Sequence, residues 1–415
     1  MPLKTPQQVL EIITSIAVRE PVKTPVWLWD AAGHVLAQDV TTARDIPPFN
    51  RAAMDGYAVR SADVDNVPVT LDVIAVREAG DTSPVSIAPG QCVKIMTGAA
   101  VPDDADAVVM IEKTKSHNPA KKTTILEPVK PFTDIARQGE DAPAGSIVLH
   151  KGQLLTGPSL SVAAGVGQTM LEVYQHPLVS LLQTGGELVE PGDNATGNKI
   201  YNSNATLLTG LINDTRISRS RYLGILKDDR SALANAIHTG LTGDVLILTG
   251  GVSKGDFDYV PEVLQNCGVT IHIHGAAIKP GKPLLFGGTL DGRFVFGLPG
   301  NPVSVMICFY EFVLPFLRRL NGMSGSPAPA GTNAVLTAPI HKKSGRQFYC
   351  SAYLFYQSNR LFAQPISGHG SGDYVSTARA NGVAIIPADI TAIAAGQEVL
   401  VHPWQVPMQE SEEPK

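Results

Sequence analysis

Short apolar runs alternate with amphipathic segments through the centre of the chain. The runs are rich in β-branched and aliphatic residues and too short for helices, so they are predicted as buried strands. In chain order the pattern predicts strand 178–182, helix 204–212, strand 218–225, helix 230–239, strand 245–248 and strand 294–298. Strands that alternate with helices are typical of a mostly parallel sheet with right-handed crossovers. We therefore predict a doubly wound α/β domain here.

A different pattern flanks this region on both sides. Residues 61–142 and 333–406 contain short alternating runs with Gly and Pro between them, which is typical of small β domains. The chain is thus predicted to be a multidomain, elongated protein of the α/β plus β class. Its predicted parts are a scaffold domain (1–48 and 143–176), an inserted β domain (49–142), the doubly wound domain (177–325), a C-terminal β-barrel or sandwich (326–408) and a disordered tail (409–415).

The composition mainly excludes certain classes of protein. The 415 residues include 38 acidic and 33 basic side chains, for a formal net charge of −5, which argues against a general nucleic-acid or anionic-membrane surface. The longest apolar stretch, 303–317, carries Glu311 and Pro315 and is too short to cross a bilayer, and the N-terminus lacks a signal-peptide core. The four cysteines form no CxxC pair, which favours a reducing compartment. We predict a soluble cytoplasmic protein without nucleic-acid or membrane partners.

A glycine-rich turn follows the predicted strand 245–248. Thr249-Gly250-Gly251 ends the strand, and glycines let backbone N–H groups approach a phosphate or another oxyanion. Asp258 follows nearby in sequence. An anion beside carboxylates indicates a phosphate with a hard divalent ion such as Mg²⁺, which takes oxygen ligands. Such turns also commonly end a strand without binding a ligand, and aspartates after a turn are often helix caps. This turn alone therefore leaves open whether it binds an anion or only ends the strand.

A second turn lies in GLPGNPVS (297–304). Asn301-Pro302 is typical of the N-cap and first position of a helix, and Ser304 then lies in the first turn, where free N–H groups favour an anion. Between the two turns, the lysines of KPGKP (279–283) flank a rigid Pro-Gly pair and add two cations. Ligands of open α/β sheets bind at the carboxyl ends of strands. The three turns together predict one pocket that holds two oxyanions and a divalent ion.

Several motifs in the same order resemble one known family. The chain is similar to the molybdopterin molybdenumtransferases, bacterial enzymes related to the catalytic domain of gephyrin. The resemblance covers nearly the whole chain and is specific because it rests on several independent motifs. These are PPFNRAAMDGYAV (47–59), KIMTGAAVPDDADAVVMIE (94–112), RQGED (137–141), TGGVSKGDFDY (249–259), KPGKP (279–283) and GLPGNPVS (297–304).

The resemblance implies a reaction and its participants. Adenylylated molybdopterin and molybdate would give molybdenum cofactor, with release of AMP and with Mg²⁺ assisting. The dithiolene of the pterin would supply the sulfur ligands of molybdenum, so the protein needs no cysteine cluster. The protein would instead hold a tetrahedral oxyanion, orient a phosphoanhydride and offset their charges.

The resemblance also assigns roles to particular residues. The molybdate loop would comprise Pro299, Gly300, Asn301, Pro302 and Ser304, with the two prolines shaping the loop. The nucleotide and the pterin phosphate would be bound by Thr249, Gly250, Gly251, Ser253, Lys279 and Lys282. Mg²⁺ and phosphate would be handled by Asp228 and Asp258, and Glu187 matches the acidic residue of the turn after strand 178–182. The inserted β domain would contribute Asp55, Thr97 and Asp141.

The resemblance further implies a homodimer with shared active sites, because the inserted domain of one subunit faces the doubly wound domain of the other. Substrate would arrive from a molybdopterin adenylyltransferase, and product would pass to molybdoenzymes. Two alternatives stay open at this point. A molybdopterin adenylyltransferase has a similar doubly wound domain, and gephyrin shows that the fold can act as a non-catalytic scaffold. Molybdate and tungstate, which have nearly the same size and charge, are not distinguished.

Overall fold

A computed structural model describes residues 2–118, 121–226, 229–252, 259–343, 345–366, 368 and 370–409. The chain divides into two units. The larger unit comprises Met1–Ala37, Gly152–Thr156 and Leu171–Lys415, and the smaller unit comprises Gln38–Lys151 and Gly157–Met170.

The larger unit begins with a capped helix. Helix α1 (Pro6–Ser15) starts at Thr5, whose side chain accepts a hydrogen bond from the Gln8 backbone N–H, while the Gln8 side chain accepts one from the Thr5 backbone N–H, a capping box. Val9 and Ile13, four residues apart, are fully buried on one face of α1. Strand β1 (Lys23–Trp27) follows. The apolar face of α1 therefore packs into the same core as the α/β sheet.

The smaller unit is mostly β structure. Its strands are β2 (Val40–Thr41), β3 (Arg51–Ala52), β4 (Gly56–Val59), β5 (Val69–Arg77), β6 (Gln91–Ile95), β7 (Ala107–Met110), β8 (Thr114–Asn118), β9 (Lys122–Ile125), β10 (Ile135–Ala136) and β11 (Ile147–Leu149), and helix α2 (Gly157–Gly165) closes it. The main sheet has the order β7-β4-β6-β5-β9-β8. Strand β4 comes from the MDGYAV motif, and its Tyr57 and Val59 lie in the core of this sheet.

The doubly wound part of the larger unit follows. Strand β12 (Met170–Tyr174), which pairs with β1, precedes it in the chain. The elements of the doubly wound part are β13 (Leu178–Thr184), β14 (Leu188–Val189), β15 (Ile200–Tyr201), α3 (Ser203–Thr215), β16 (Arg219–Leu226), α4 (Arg230–Gly240), β17 (Val245–Thr249), α5 (Val260–Asn266), β18 (Thr270–His274), β19 (Ile278–Lys279), β20 (Leu285–Gly288) and β21 (Phe294–Leu298). The short strands β14, β15 and β19 pair outside the main sheet. The sheet order is β16-β13-β17-β21-β20-β18, parallel from β16 to β21 and antiparallel beyond it. The predicted mostly parallel α/β sheet is confirmed.

One long helical stretch follows β21. It consists of α6 (Pro302–Cys308), a π-helix (Phe309–Val313) and α7 (Leu314–Leu320). Pro315 lacks an N–H and its ring would clash with the carbonyl of residue 311 in a regular α-helix, which accounts for the widened turn just before it. This stretch is buried over most of its length. In the described part of the chain, no helix combines the length and apolar character needed to cross a membrane.

The C-terminal part of the larger unit is a closed β-barrel. Its elements are β22 (Thr332–Leu336), β23 (Ile340–His341), β24 (Gln347–Gln357), β25 (Arg360–Pro365), α8 (Tyr374–Thr377), β26 (Gly382–Ile386), β27 (Ala392–Ile393), β28 (Glu398–Pro403) and β29 (Met408–Gln409). The order β24-β25-β22-β28-β26 closes because β26 also pairs with β24. Gln409, predicted as the start of a disordered tail, instead pairs with Tyr356, and residues 410–415 lie outside the described residues.

A pair of stacked histidines lies within the larger unit. The His34 and His176 rings are 4.1 Å apart between centroids, with 16° between their planes. Among the described residues, the buried Nδ1 of His34 and Nε2 of His176 have no hydrogen-bond partner. Burial, and then the neighbouring His34, lower the pKa of His176 from 6.5 to about 4. Burial also lowers the pKa of His34. Both rings are therefore neutral in the folded protein at neutral pH.

This pair predicts a loss of stability in acid. A folded-state pKa below the unfolded value of 6.5 means that the unfolded chain binds the proton more readily, so stability present above pH 6.5 is lost as the pH falls towards about 4. The urea midpoint should fall over this window, and His176→Phe, which keeps an aromatic ring and removes the titration, should flatten that fall. If the urea midpoint fell with pH equally steeply in the variant and in the parent protein, the loss of stability could not be assigned to His176.

Candidate oxyanion site

A cavity of about 520 Å³ lies between the KPGKP turn, the start of α6 and the barrel, all within the larger unit. We term it the basic pocket. Its lining includes the cationic side chains Lys279, Lys282 and Arg346, the hydroxyl side chains Ser304, Ser351, Ser371 and Ser376, and also Pro299 and Asn301. Among the described residues that line it, none carries a carboxylate. A cavity with cations, hydroxyl groups and no anion favours an oxyanion ligand.

A short strand pairing assembles the cationic wall. Strand β19 lies parallel to β24, with Ile278 opposite Gln347 and Lys279 opposite Phe348. The Nη1 of Arg346 donates to the carbonyl of Ile278 at 3.1 Å, and the Nζ of Lys279 lies 5.7 Å from the centroid of the Phe348 ring. Arg346 was missed from the sequence. No motif surrounds it, and only the pairing of β19 with β24 shows that it adjoins the lysines.

The turn between the two lysines depends on glycine. Gly281 has a φ of +105°, which L side chains rarely adopt. A Cβ at this position would lie 2.8 Å from the Sγ of Cys308 and 2.7 Å from Ile278. The Sγ of Cys308 is also 3.9 Å from the Gly281 carbonyl oxygen. Close packing against α6 therefore holds the KPGKP turn in place.

The PGNP loop is held from two sides. Asn301 occupies the predicted N-cap position of α6, but its side chain makes no capping bond and instead donates to Ser371 Oγ at 2.7 Å. The backbone N–H of Val303 donates to the Ser371 carbonyl at 3.3 Å. On the other side, Nδ2 of the buried Asn204 donates to the carbonyl of Gly300 at 2.7 Å. These bonds fix the backbone from which Ser304, only 3% exposed, reaches the wall of the basic pocket.

Cysteine chemistry is absent from this pocket at neutral pH. Cys350 lines it, and burial raises the pKa of the Cys350 thiol to about 11. Burial, followed by the charge of Glu311, holds the pKa of the neighbouring Tyr349 phenol well above its usual value. Both groups therefore stay protonated. The site offers cations and hydroxyl groups to a ligand rather than a thiolate.

The turn after β17 adjoins the PGNP loop. Thr249 pairs with Leu298 across the parallel strands, and the N–H of Gly250 donates to the Leu298 carbonyl at 3.2 Å. The Thr249 hydroxyl is buried and donates to the side chain of Gln183, so it braces the turn. Gly250 and Gly251 both have positive φ values, of +84° and +63°. The sheet thus places the two predicted anion turns side by side.

Two of the remaining predicted residues of the doubly wound domain lie outside the basic pocket, and three are not among the described residues. Glu187 is exposed in the turn after β13, the strand beside β17. Pro302 lines a neighbouring apolar groove beside α3. Ser253, Asp228 and Asp258 lie outside the described residues.

In the smaller unit, Asp55 and Thr97 are brought together across 42 positions of sequence. The backbone N–H and the hydroxyl of Thr97 both donate to Oδ1 of Asp55 at 2.7 Å. These two bonds lower the pKa of the Asp55 carboxyl, so it is ionised at neutral pH. Asp141 is exposed in the RQGED loop, where its N–H donates to the Ile46 carbonyl at 2.9 Å.

Comparison with known proteins first defines the class. Residues 180–319 match the model of a probable molybdopterin binding domain, which places the doubly wound sheet among molybdopterin-binding α/β domains. Residues 4–167 match the MoeA N-terminal region (domain I and II), and residues 333–404 match the MoeA C-terminal region (domain IV).

Full-length relatives then identify the family. The chain is 34% identical to the molybdopterin molybdenumtransferase of Nostoc sp., over 90% of this chain and 87% of that protein. It is 33% identical to the one of Haemophilus influenzae, over 91% and 93%. The molybdopterin biosynthesis MoeA protein of Pyrococcus horikoshii, a crystal structure, superposes with a TM-score of 0.84 at 30% identity, over 97% of this chain and all of that one. The chain belongs to the molybdopterin molybdenumtransferase family, which confirms the resemblance drawn from its motifs.

Proposed function

We propose that this protein inserts molybdate into adenylylated molybdopterin, releasing AMP and forming molybdenum cofactor. The observation that carries the proposal is the basic pocket, where Lys279, Lys282, Arg346 and Ser304 surround one cavity. This changes the predicted role of the two lysines. Because both lysines share a cavity with Ser304, we assign them to the metal oxyanion as well as to the adjoining phosphate.

The described residues act by position and charge. The three cationic side chains offset the two negative charges of molybdate, and the Ser304 hydroxyl donates to one of its oxygens. Asn204 and Ser371 hold the PGNP loop, so little reorganisation is needed when the oxyanion binds. The turn Thr249-Gly250-Gly251 presents backbone N–H groups beside this loop, which suits the phosphate of the adenylylated substrate.

Mg²⁺ would be held by acidic residues that follow neighbouring strands in the sequence. Glu187 follows β13, Asp228 follows β16, and Asp258 lies in the segment after β17; these three strands are adjacent in the sheet. Carboxylate oxygens are the ligands that Mg²⁺ prefers, and a bound ion would offset phosphate charge. The described member of this set, Glu187, is exposed and available for that role.

A homodimer would complete the site. By family resemblance, Asp55, Thr97 and Asp141 of one subunit would face the doubly wound domain of the other. The bonds from Thr97 keep Asp55 ionised, as a charge-balancing or ligand-orienting group requires. Light scattering should give twice the chain mass of 44.0 kDa, and a monomer mass for active protein would contradict the shared site.

The protein's place in the pathway follows from its substrate and product. We propose that it receives adenylylated molybdopterin from a molybdopterin adenylyltransferase and passes the cofactor to molybdoenzymes, in the cytoplasm. Its four cysteines are free, in keeping with a reducing compartment. The two alternative functions are disfavoured because the similarity to molybdopterin molybdenumtransferases extends along nearly the whole chain.

Incubation of the pure protein with adenylylated molybdopterin, Mg²⁺ and sodium molybdate tests the proposal. We expect AMP release that depends on molybdate, together with formation of molybdenum cofactor. A parallel reaction with molybdopterin, ATP and Mg²⁺ should not accumulate the adenylylated pterin, since that product would identify an adenylyltransferase. No AMP release from protein that binds neither substrate would favour a scaffold instead. Replacing molybdate with tungstate in the same assay measures the metal preference.

A further inference from the structure

A buried carboxylate lies in the helical stretch that begins beside Ser304. Glu311 is 2% exposed and belongs to the π-helix between α6 and α7. Its Oε2 is 2.8 Å from the Nδ1 of His402 in β28. Among the described residues, its Oε1 has no hydrogen-bond partner. A buried carboxylate with one unpaired oxygen is weak evidence for stability, and the best-attested role of such groups is to fix one arrangement of packed elements.

A second contact lies next to this hydrogen bond. The rings of Tyr310 and Trp404 stack with centroids 4.6 Å apart and planes 6° from parallel. Tyr310 precedes Glu311 in the π-helix, and Trp404 lies two residues after His402. Two neighbouring residues of the π-helix therefore contact His402, near the end of β28, and Trp404, just after that strand. We term this pair of contacts the barrel latch.

The barrel latch connects to the basic pocket through two routes. The first is the helical stretch itself, which carries Ser304 at its start and Cys308, packed against Gly281, one turn later. The second is the barrel, where β28 pairs with β26 and β26 pairs with β24, the strand of the pocket residue Tyr349. Tyr349 also packs in the same core cluster as Phe309 and Phe312 of the π-helix.

We propose that Glu311 and His402 are positioning residues for the metal oxyanion. Their hydrogen bond holds the barrel against the helix of Ser304 and so sets the distance between Ser304 and the Arg346 side of the basic pocket. Among the described residues that line this pocket neither appears, so they act through Ser304 and β24 rather than by touching the ligand. The inference rests on the proposed function and adds to it the residues that determine how tightly the oxyanion is held.

Steady-state kinetics of Glu311→Ala and His402→Ala test the inference. In each variant we expect the KM for molybdate to rise about 10-fold while the KM for adenylylated molybdopterin stays within about twofold. Glu311→Gln retains the shape and an acceptor for His402 and should stay near the parent value. Leu336→Ala, in strand β22 of the barrel core and outside the basic pocket, controls for general loss of stability. His402, which is less buried than Glu311, provides a second variant should Glu311→Ala fail to fold.

Calorimetric titration of the same proteins with sodium molybdate separates this inference from the proposed function. A parent protein that neither binds nor uses molybdate would overturn the function itself. A parent protein that does both, with Glu311→Ala and His402→Ala indistinguishable from it, would overturn only the positioning role. The same conclusion would follow if both KM values rose together, or if Leu336→Ala reproduced the selective effect on molybdate.

Discussion

Replacing Lys282 by alanine is expected to lower kcat/KM for molybdate insertion about 100-fold, and replacing Lys279 as well should extend the loss to about 1,000-fold. Both side chains line the basic pocket, where no described lining residue carries a negative charge. Each replacement removes a positive charge that would offset the dianion, and the remaining cation, Arg346, already donates through its Nη1 to the Ile278 carbonyl. Initial rates of AMP release at varied molybdate concentration measure the effect.

The control for this prediction is another exposed lysine. Lys23 lies 3.4 Å from Glu20 in an exposed ion pair and does not line the pocket, so Lys23→Ala should leave the rate unchanged. Lys282→Arg, which keeps the charge, should retain more activity than Lys282→Ala. If Lys282→Ala and Lys23→Ala behaved alike, the basic pocket would not be where molybdate binds.

The second large effect is expected from Gly281→Ala. The added Cβ would meet Cys308 and Ile278 at under 3 Å in a backbone with φ of +105°, so both steric overlap and conformational strain oppose it. We expect the free energy of unfolding to fall by about 2–4 kcal/mol. Molybdate affinity should fall with it, because the turn that spaces the two lysines must move. Urea unfolding and calorimetric titration with molybdate measure the two effects.

Gly268 supplies a matched comparison for Gly281. It has a similar left-handed φ of +84°, and a Cβ there would have open space around it. Gly268→Ala should therefore show the conformational strain alone, about 1 kcal/mol, with molybdate binding unchanged. Equal destabilisation by the two substitutions would show that the contact between Gly281 and Cys308 does not hold the KPGKP turn.

Local signals explain which parts of the fold could be predicted. Strand β21 was predicted at its observed bounds because a buried apolar run ends at Pro299. Helix α4 begins at residue 230 as predicted, and Asp229 caps it there by accepting a hydrogen bond from the Ala232 N–H. The position of Asn301 at the start of α6 followed from the Asn-Pro pair in the same way. In each of these cases the determining residues lie within a few positions of the element.

Distant pairings explain which parts could not. Arg346 joins the site only because β24 pairs with β19, and no local pattern predicts that register. The side chain of Asn301 bonds Ser371 instead of its own helix for the same reason, since tertiary contacts override the local capping preference. The hydrogen bond between Asp55 and Thr97 joins two separate motifs, and the sequence indicated only that each was a candidate residue.

The pairing of β19 with β24 also limits how this chain can be shortened. A product ending at Leu320 would keep every strand of the doubly wound sheet, yet Lys279 would stand on a free edge with unpaired backbone groups, a surface prone to aggregation. It would also lack the barrel residues that line one side of the basic pocket, which would then open to solvent. Attempts to isolate the doubly wound part as an independent module should therefore include the barrel, since β19 and β24 join the two by hydrogen bonds.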